Sequence, residues 1–220
     1  MGGVLTAGDD RLRFIREHLP LARSRPLPQI RLHQARPDSG LHRLAEADEA
    51  GFGSPYWAYP WAGGLALARH ILDRPETVGR RVLDLGAGSG LVAIAAALAG
   101  AGEVTAADID PYAVAALGLN AAANGAIISA ICGDLTAGPP PAVDIVVVGD
   151  LFYDRALAGR VTAFLDRCLD AGIEVLVGDP GRAFLPRERL RVLARYPTPD
   201  FGEERMSCVF AFLSAAAVDP

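Results

Sequence analysis

Residues 82–90 read Val-Leu-Asp-Leu-Gly-Ala-Gly-Ser-Gly, an apolar run that carries one acid and then a glycine at every second position. Asp84, Gly86, Gly88 and Gly90 therefore fall where a β-prone segment gives way to the helix-prone Leu91 to Ala99. Glycine at such a turn permits positive φ and lets a ligand lie against bare backbone. A dinucleotide-binding turn would place its third glycine one position later, at Leu91. Asp108 closes the next apolar run, 18 residues beyond Gly90. That is near the offset of about 20 at which an acid meets ribose hydroxyls, and one carboxylate can accept from both. Asp110 before Pro111 reads instead as a helix start, with Asp as cap and Pro at the first helical position.

Other chemistry-bearing residues close the later runs. Gly149-Asp150-Leu151-Phe152-Tyr153-Asp154 follows the fourth, where ligands of open α/β sheets bind beyond the carboxyl ends of strands. Asp150 can orient a cationic acceptor by charge-assisted hydrogen bonding, and the face of Tyr153 is favourable to a cation. The plainer alternative is a helix cap and a packed ring. Asp134 closes the third run, where a solvated loop acid is the alternative. Four aromatics crowd Pro55-Tyr56-Trp57-Ala58-Tyr59-Pro60-Trp61. Trp57 and Trp61 either border a ligand or pack the N-terminal segment onto a sheet. Gly178-Asp179-Pro180-Gly181-Arg182 reads either as a contact for a macromolecular substrate or as a tight Pro-Gly turn. The four histidines and three cysteines have no metal-ligand spacing.

Positioning these residues requires alternating strands and helices. Strands are predicted at 81–85, 103–108, 127–132, 143–149 and 173–178, and helices at 89–100, 111–123, 155–170 and 186–194. The strands are apolar on both faces, as in Ile145-Val146-Val147-Val148, which indicates a parallel sheet covered on both sides. Arg195 to Thr198 and Met206 to Leu213 read as two terminal strands. Upstream, a helix is predicted over Asp10 to Leu19, then a connector with a short strand at Gln29 to His33 that ends in Gly51-Phe52-Gly53-Ser54. Leu65 to Leu72 reads as a helix leading to the first core strand. The division is an N-terminal extension over 1–54 and a ligand-binding domain over 55–220.

Composition narrows the function classes. The chain has 220 residues, 51% of them hydrophobic, enough for one domain with a substantial core. A net charge of −5 disfavours nucleic acid as the main partner. The most apolar run, Leu91 to Ala101, is far short of the roughly 20 residues that span a membrane. Acids from Asp9 onward argue against a signal or transit peptide, and the myristoylation-like Met1 to Thr6 is too short to carry weight. Three scattered cysteines suit a reducing cytoplasm.

The turn Asp84-x-Gly86-x-Gly88-x-Gly90 resembles motif I of the seven-strand class I methyltransferases that use S-adenosyl-L-methionine. Asp150-x-x-Tyr153 is similar to the mark of their lysine-directed branch, methyltransferase family 16. With the aromatic run through Trp61-Ala62-Gly63-Gly64 and the Gly178 to Arg182 segment, roughly residues 28–213 look like the electron-transfer flavoprotein β-subunit lysine methyltransferases and their bacterial relatives. The resemblance implies a Rossmann-like sheet ending in an antiparallel hairpin. It also implies cofactor contacts from Asp84 to the methionine ammonium through water, from Asp108 to ribose and from Asp134 to adenine. Asp150 and Tyr153 would receive a substrate lysine, with the β-subunit as partner. Rival expectations are a ribosomal-protein lysine methyltransferase, a small-molecule methyltransferase and a non-catalytic cofactor-binding protein. All 21 basic residues are arginine, which fits either codon bias or a lysine-modifying enzyme that avoids modifying itself.

Overall fold

The computed structural model describes residues 7–35, 39, 41, 55–200 and 203–217. Met1 to Thr6, Gly51 to Ser54 and the boundary at 54 lie outside the described residues.

The alternating runs build one sheet. Five parallel strands, β3 (Arg81–Leu85), β4 (Glu103–Asp108), β5 (Ser129–Cys132), β6 (Ile145–Gly149) and β7 (Glu174–Asp179), are joined by two antiparallel ones, β8 (Leu190–Asp200) and β9 (Glu203–Phe212). The order is β5-β4-β3-β6-β7-β9-β8, the seven-stranded class I methyltransferase arrangement with its terminal hairpin. Order reverses between β3 and β6, so their carboxyl ends flank the crevice at the switch point.

Both faces of the sheet are covered, as its apolar strands require. Ile145 and Val147 of β6 join one core cluster, and Val146 and Val148 join the other, the period of two expected of a strand. The first cluster packs on α2 (Ala62–Asp73) and α3 (Leu91–Leu98); the second packs on α5 (Arg155–Asp170). Burying each such valine stabilises the fold by about 1.5–3 kcal/mol. The helix α4 (Pro111–Asn124) starts as its sequence demands: Asp110 accepts from Tyr112 N–H at 2.7 Å, Pro111 follows, and Gly125 caps the other end at φ +65°.

Described parts of the extension are α1 (Ala7–His18), β1 (Leu21–Arg23) and β2 (Arg31–His33), the last two forming a small antiparallel ribbon. The ribbon docks on α4: Asn124 Oδ1 accepts from Arg31 N–H at 2.9 Å, and Asn120 Oδ1 accepts from His33 N–H at 2.7 Å. Asn120 is fully buried, and its Nδ2 donates to the Ser89 carbonyl at 2.9 Å, tying the extension to the glycine turn. Leu27, Ile30 and Leu32 belong to the same core cluster as β3 and α3.

One predicted element is different. Residues 186–194, expected as a helix, form a single 3-10 turn at Arg187–Arg189 and then the start of β8. Pairing with β9, from Leu190 opposite Phe212 to Asp200 opposite Glu203, overrides the local helical pattern.

Candidate active site

A cleft of about 570 Å³, the size of a typical small-molecule site, opens over the carboxyl ends of β3, β4 and β6. Of the residues singled out in the sequence, Asp84, Gly86, Gly88, Asp108, Asp134, Asp150, Tyr153, Trp57 and Trp61 line it. Gly90 does not. It caps α3 at φ +87°, and a Cβ there would meet Leu117 Cγ at 3.0 Å, so this glycine serves the turn and its packing. Gly86 has φ +70°, and any side chain would run into Leu151 at 2.6 Å. At that position the backbone has to stay bare.

Each carboxylate at the cofactor end is set by backbone donors. Asp84 is buried in β3 and accepts from Ala93 N–H at 2.9 Å, in the first turn of α3. Burial pushes its carboxyl up to about 7 against that hydrogen bond. Asp108 Oδ2 accepts from Gly88 N–H at 2.8 Å and Oδ1 from Asp110 N–H at 2.9 Å. This single acid fixes both the glycine turn and the entry to α4, and each oxygen keeps a second lone pair for a ligand hydroxyl. Burial raises the Asp108 carboxyl, opposed by those donors. Asp134 accepts from Thr136 through N–H at 2.8 Å and Oγ1 at 2.6 Å, and the hydroxyl contact holds its carboxyl below the usual range.

At the acceptor end three distant segments meet on one carboxylate. Asp150 is buried at the end of β6 and is the one non-glycine residue at positive φ (+59°) among the described residues. Such backbone strain persists where the surroundings over-determine it. Oδ2 accepts from Gly64 N–H of α2 at 2.7 Å, and Oδ1 accepts from Arg182 Nη2 at 2.6 Å and Nε at 3.1 Å. The guanidinium also lies 5.2 Å over the Trp61 ring. Its loop is preformed: Asp179 Oδ1 accepts from the N–H groups of Gly181 and Arg182 at 2.6 and 2.7 Å, with Gly181 at φ +99°. Burial raises the Asp150 carboxyl to about 6, with Arg182 the main opposing influence.

The helix-cap alternative for Asp150 does not apply. The cap of α5 is Asp154, which accepts from Leu157 N–H at 2.8 Å. Tyr153 is half exposed at the mouth, its ring 5.9 Å from Tyr56 and burial raising its hydroxyl. Trp57 combines both readings open for it: it lines the cleft and stacks on Tyr112 at 6.1 Å, within the cluster that holds Ile15 and Leu19 of the extension. Trp61 donates from Nε1 to the Tyr56 carbonyl at 2.7 Å. Sequence reasoning missed the pairing of Arg182 with Asp150. The available signal was electrostatic: an acid at the end of so apolar a strand needs a partner, and Arg182 closes the next strand's loop.

Comparison with known proteins points to methyltransferases. Residues 65–149 match the family model described as ribosomal protein L11 methyltransferase. Over 199 residues the chain is 40% identical to the electron transfer flavoprotein beta subunit lysine methyltransferase of Xenopus laevis, covering 87% of this chain and 80% of that one. The zebrafish (Danio rerio) protein of that name is 43% identical over 160 residues, 70% of this chain and 62% of its own, so the match spans a little under two thirds of that relative. Among solved structures, magnesium protoporphyrin IX methyltransferase from Synechocystis, with bound S-adenosylmethionine, superposes with TM-score 0.53 at 14% identity, covering 96% of this chain and 100% of that one. A ribosomal protein L11 methylase from Lactobacillus delbrueckii gives 0.50 at 23% identity, covering 67% and 77%. At these identities the structural likeness is one of fold.

Proposed function

The chain belongs to the electron transfer flavoprotein β-subunit lysine methyltransferase family, and on that premise we propose that it methylates a lysine of that β-subunit with S-adenosyl-L-methionine as donor. The carrying observation is the convergence of Gly64, Asp150 and Arg182 at the acceptor end of a cleft whose other end is lined by Asp84, Gly86, Gly88, Asp108 and Asp134. The donor set suits the cofactor: Gly86 and Gly88 bring bare backbone to the cleft wall, and Asp108 offers free lone pairs to ribose. Asp134 is the adenine-side acceptor, and Asp84 serves the methionine ammonium through water. The cofactor supplies a sulfonium methyl; the amine lone pair forms the N–C bond as the S–C bond breaks, its electron pair remaining on sulfur as a thioether.

The protein's share is to deliver a neutral, aimed amine. A lysine of pKa about 10.4 is neutral in roughly one molecule in a thousand near pH 7.4. Asp150, with one Oδ2 lone pair left beyond the bonds from Gly64 and Arg182, accepts from the amine and fixes its direction. Tyr153, Tyr56 and Trp61 wall the approach with aromatic faces favourable to a cation and exclude water from the amine. Positioning of this sort is worth several kcal/mol.

The extension over residues 7–35 backs Trp57 and the glycine turn, so it works as one unit with the domain over 55–220. Three free cysteines suit a reducing, cytoplasmic setting, and the net charge of −5 speaks against a nucleic-acid substrate. Among the described residues no helix is long and apolar enough to cross a membrane. The match of residues 65–149 to the ribosomal protein L11 methyltransferase model makes ribosomal protein L11 the natural second candidate. Parallel incubations of the purified chain and labelled cofactor with flavoprotein β-subunit and with L11 test the reading. Label on a β-subunit lysine supports it, and label on L11 alone overturns it.

A further inference from the structure

The acceptor carboxylate already holds a cation. Arg182 donates twice to Asp150 Oδ1, stacks on Trp61, and retains only 19% of its side-chain exposure. A site meant only to attract an ammonium ion would leave that carboxylate uncompensated. Pairing it with a guanidinium does the reverse: a lysine entering beside Asp150 meets a fixed positive charge, and a like charge at close range favours loss of the incoming proton. Lysines activated by a neighbouring cation follow the same logic. Arginine suits this task because its guanidinium stays protonated and presents a rigid fork. Among the charged and titratable groups, Arg182 and Asp179 from the end of β7 act on Asp150, while α2 contributes only the Gly64 amide.

Resting on the lysine-methyltransferase reading, we infer that Arg182 is a positioning residue that makes the acceptor site select the neutral amine, by compensating the Asp150 carboxylate and opposing the lysine's proton. Without Arg182, the uncompensated Asp150 carboxylate favours the charged form of the entering amine, so the substrate lysine becomes harder to deprotonate.

The test compares wild type with Arg182→Gln. In the variant the limb of the pH–rate profile that reports loss of the substrate amine's proton should move up by about one unit or more, the range by which a neighbouring charge displaces a titratable group. The loss should fall on kcat, about tenfold per unit at neutral pH, with the protein-substrate KM not raised. Carbon NMR of labelled aspartates should show the Asp150 midpoint rising in the same variant, with no substrate or cofactor present. A fall in activity with neither the limb nor the midpoint moved would mark Arg182 as merely structural and overturn the inference.

The NMR arm uses neither substrate nor cofactor, so it separates the two readings. If wild type leaves the β-subunit unmodified while the Asp150 midpoint still rises in Arg182→Gln, the substrate assignment fails and the inference about the site stands. An Asp150 midpoint that does not move in Arg182→Gln overturns the inference whatever the substrate.

Discussion

Gly63 of α2 and Gly178 of β7 approach so closely that a Cβ on either would strike the other's carbonyl oxygen, at 2.2 Å from Gly63 and 2.3 Å from Gly178. Gly149 completes the contact, since a Cβ there would lie 3.1 Å from the Gly64 Cα. The helix thus lies directly on the backbone of two strands. That is how the Gly64 amide reaches Asp150.

Gly178→Ala should therefore act on both stability and activity. The new methyl meets backbone and Leu67 Cβ at 2.7 Å, neither of which can step aside cheaply. Overpacking of this kind costs about 1–3 kcal/mol. In a chain of this size that lowers Tm by about 2–4 °C per kcal/mol. Differential scanning calorimetry measures the shift, and a wild-type Tm would show that α2 can move away from the sheet.

Asp108→Ala should weaken S-adenosylmethionine binding by removing two hydrogen bonds to ribose, each worth roughly 1.5–3 kcal/mol for a charged acceptor. It also releases the Gly88 and Asp110 amides, so the glycine turn loosens with it. Titration calorimetry checks this; unchanged affinity would remove Asp108 from the ribose site.

The buried Asp84 gives the ligand-free protein a distinctive pH dependence. Its carboxyl is raised from 3.8 to about 7 in the fold, so between those values the folded state keeps a proton that the unfolded state has lost. Stability then falls as pH rises through that window, by up to about 1.4 kcal/mol per unit. Asp84→Asn should flatten the slope, as read by urea denaturation at a series of pH values. A slope unchanged by the substitution would mean that Asp84 is ionised throughout.

Much of this was legible in the sequence, and the exceptions share a cause. Patterns confined to one segment read correctly: the apolar strands, the glycine turn, and Asp110 with Pro111 as the start of α4. What depended on a distant partner did not. Residues 186–194 look helical until β9 pairs with them, and β8 lies at the sheet edge with most of its residues exposed, leaving little alternation to read. The pairing of Asp150 with Arg182 spans 32 residues. The segments that meet there were each visible, but only the crossing of α2 over β6 and β7 brings them together. Gly90 shows the converse: a correct motif position whose work is packing against Leu117.

The most direct measurement is mass spectrometry of the flavoprotein β-subunit after incubation with S-adenosylmethionine and either wild type or Asp150→Asn, with cofactor affinity measured in parallel. Wild type should leave methylated lysine on the β-subunit. The variant keeps the size of the side chain but loses its charge and its ionic hold on Arg182, so it should bind cofactor normally while methylating about tenfold to a thousandfold more slowly, roughly 1.4–4 kcal/mol. An Asp150→Asn protein that methylates the same lysine at the wild-type rate would contradict the account and move the acceptor site away from Asp150.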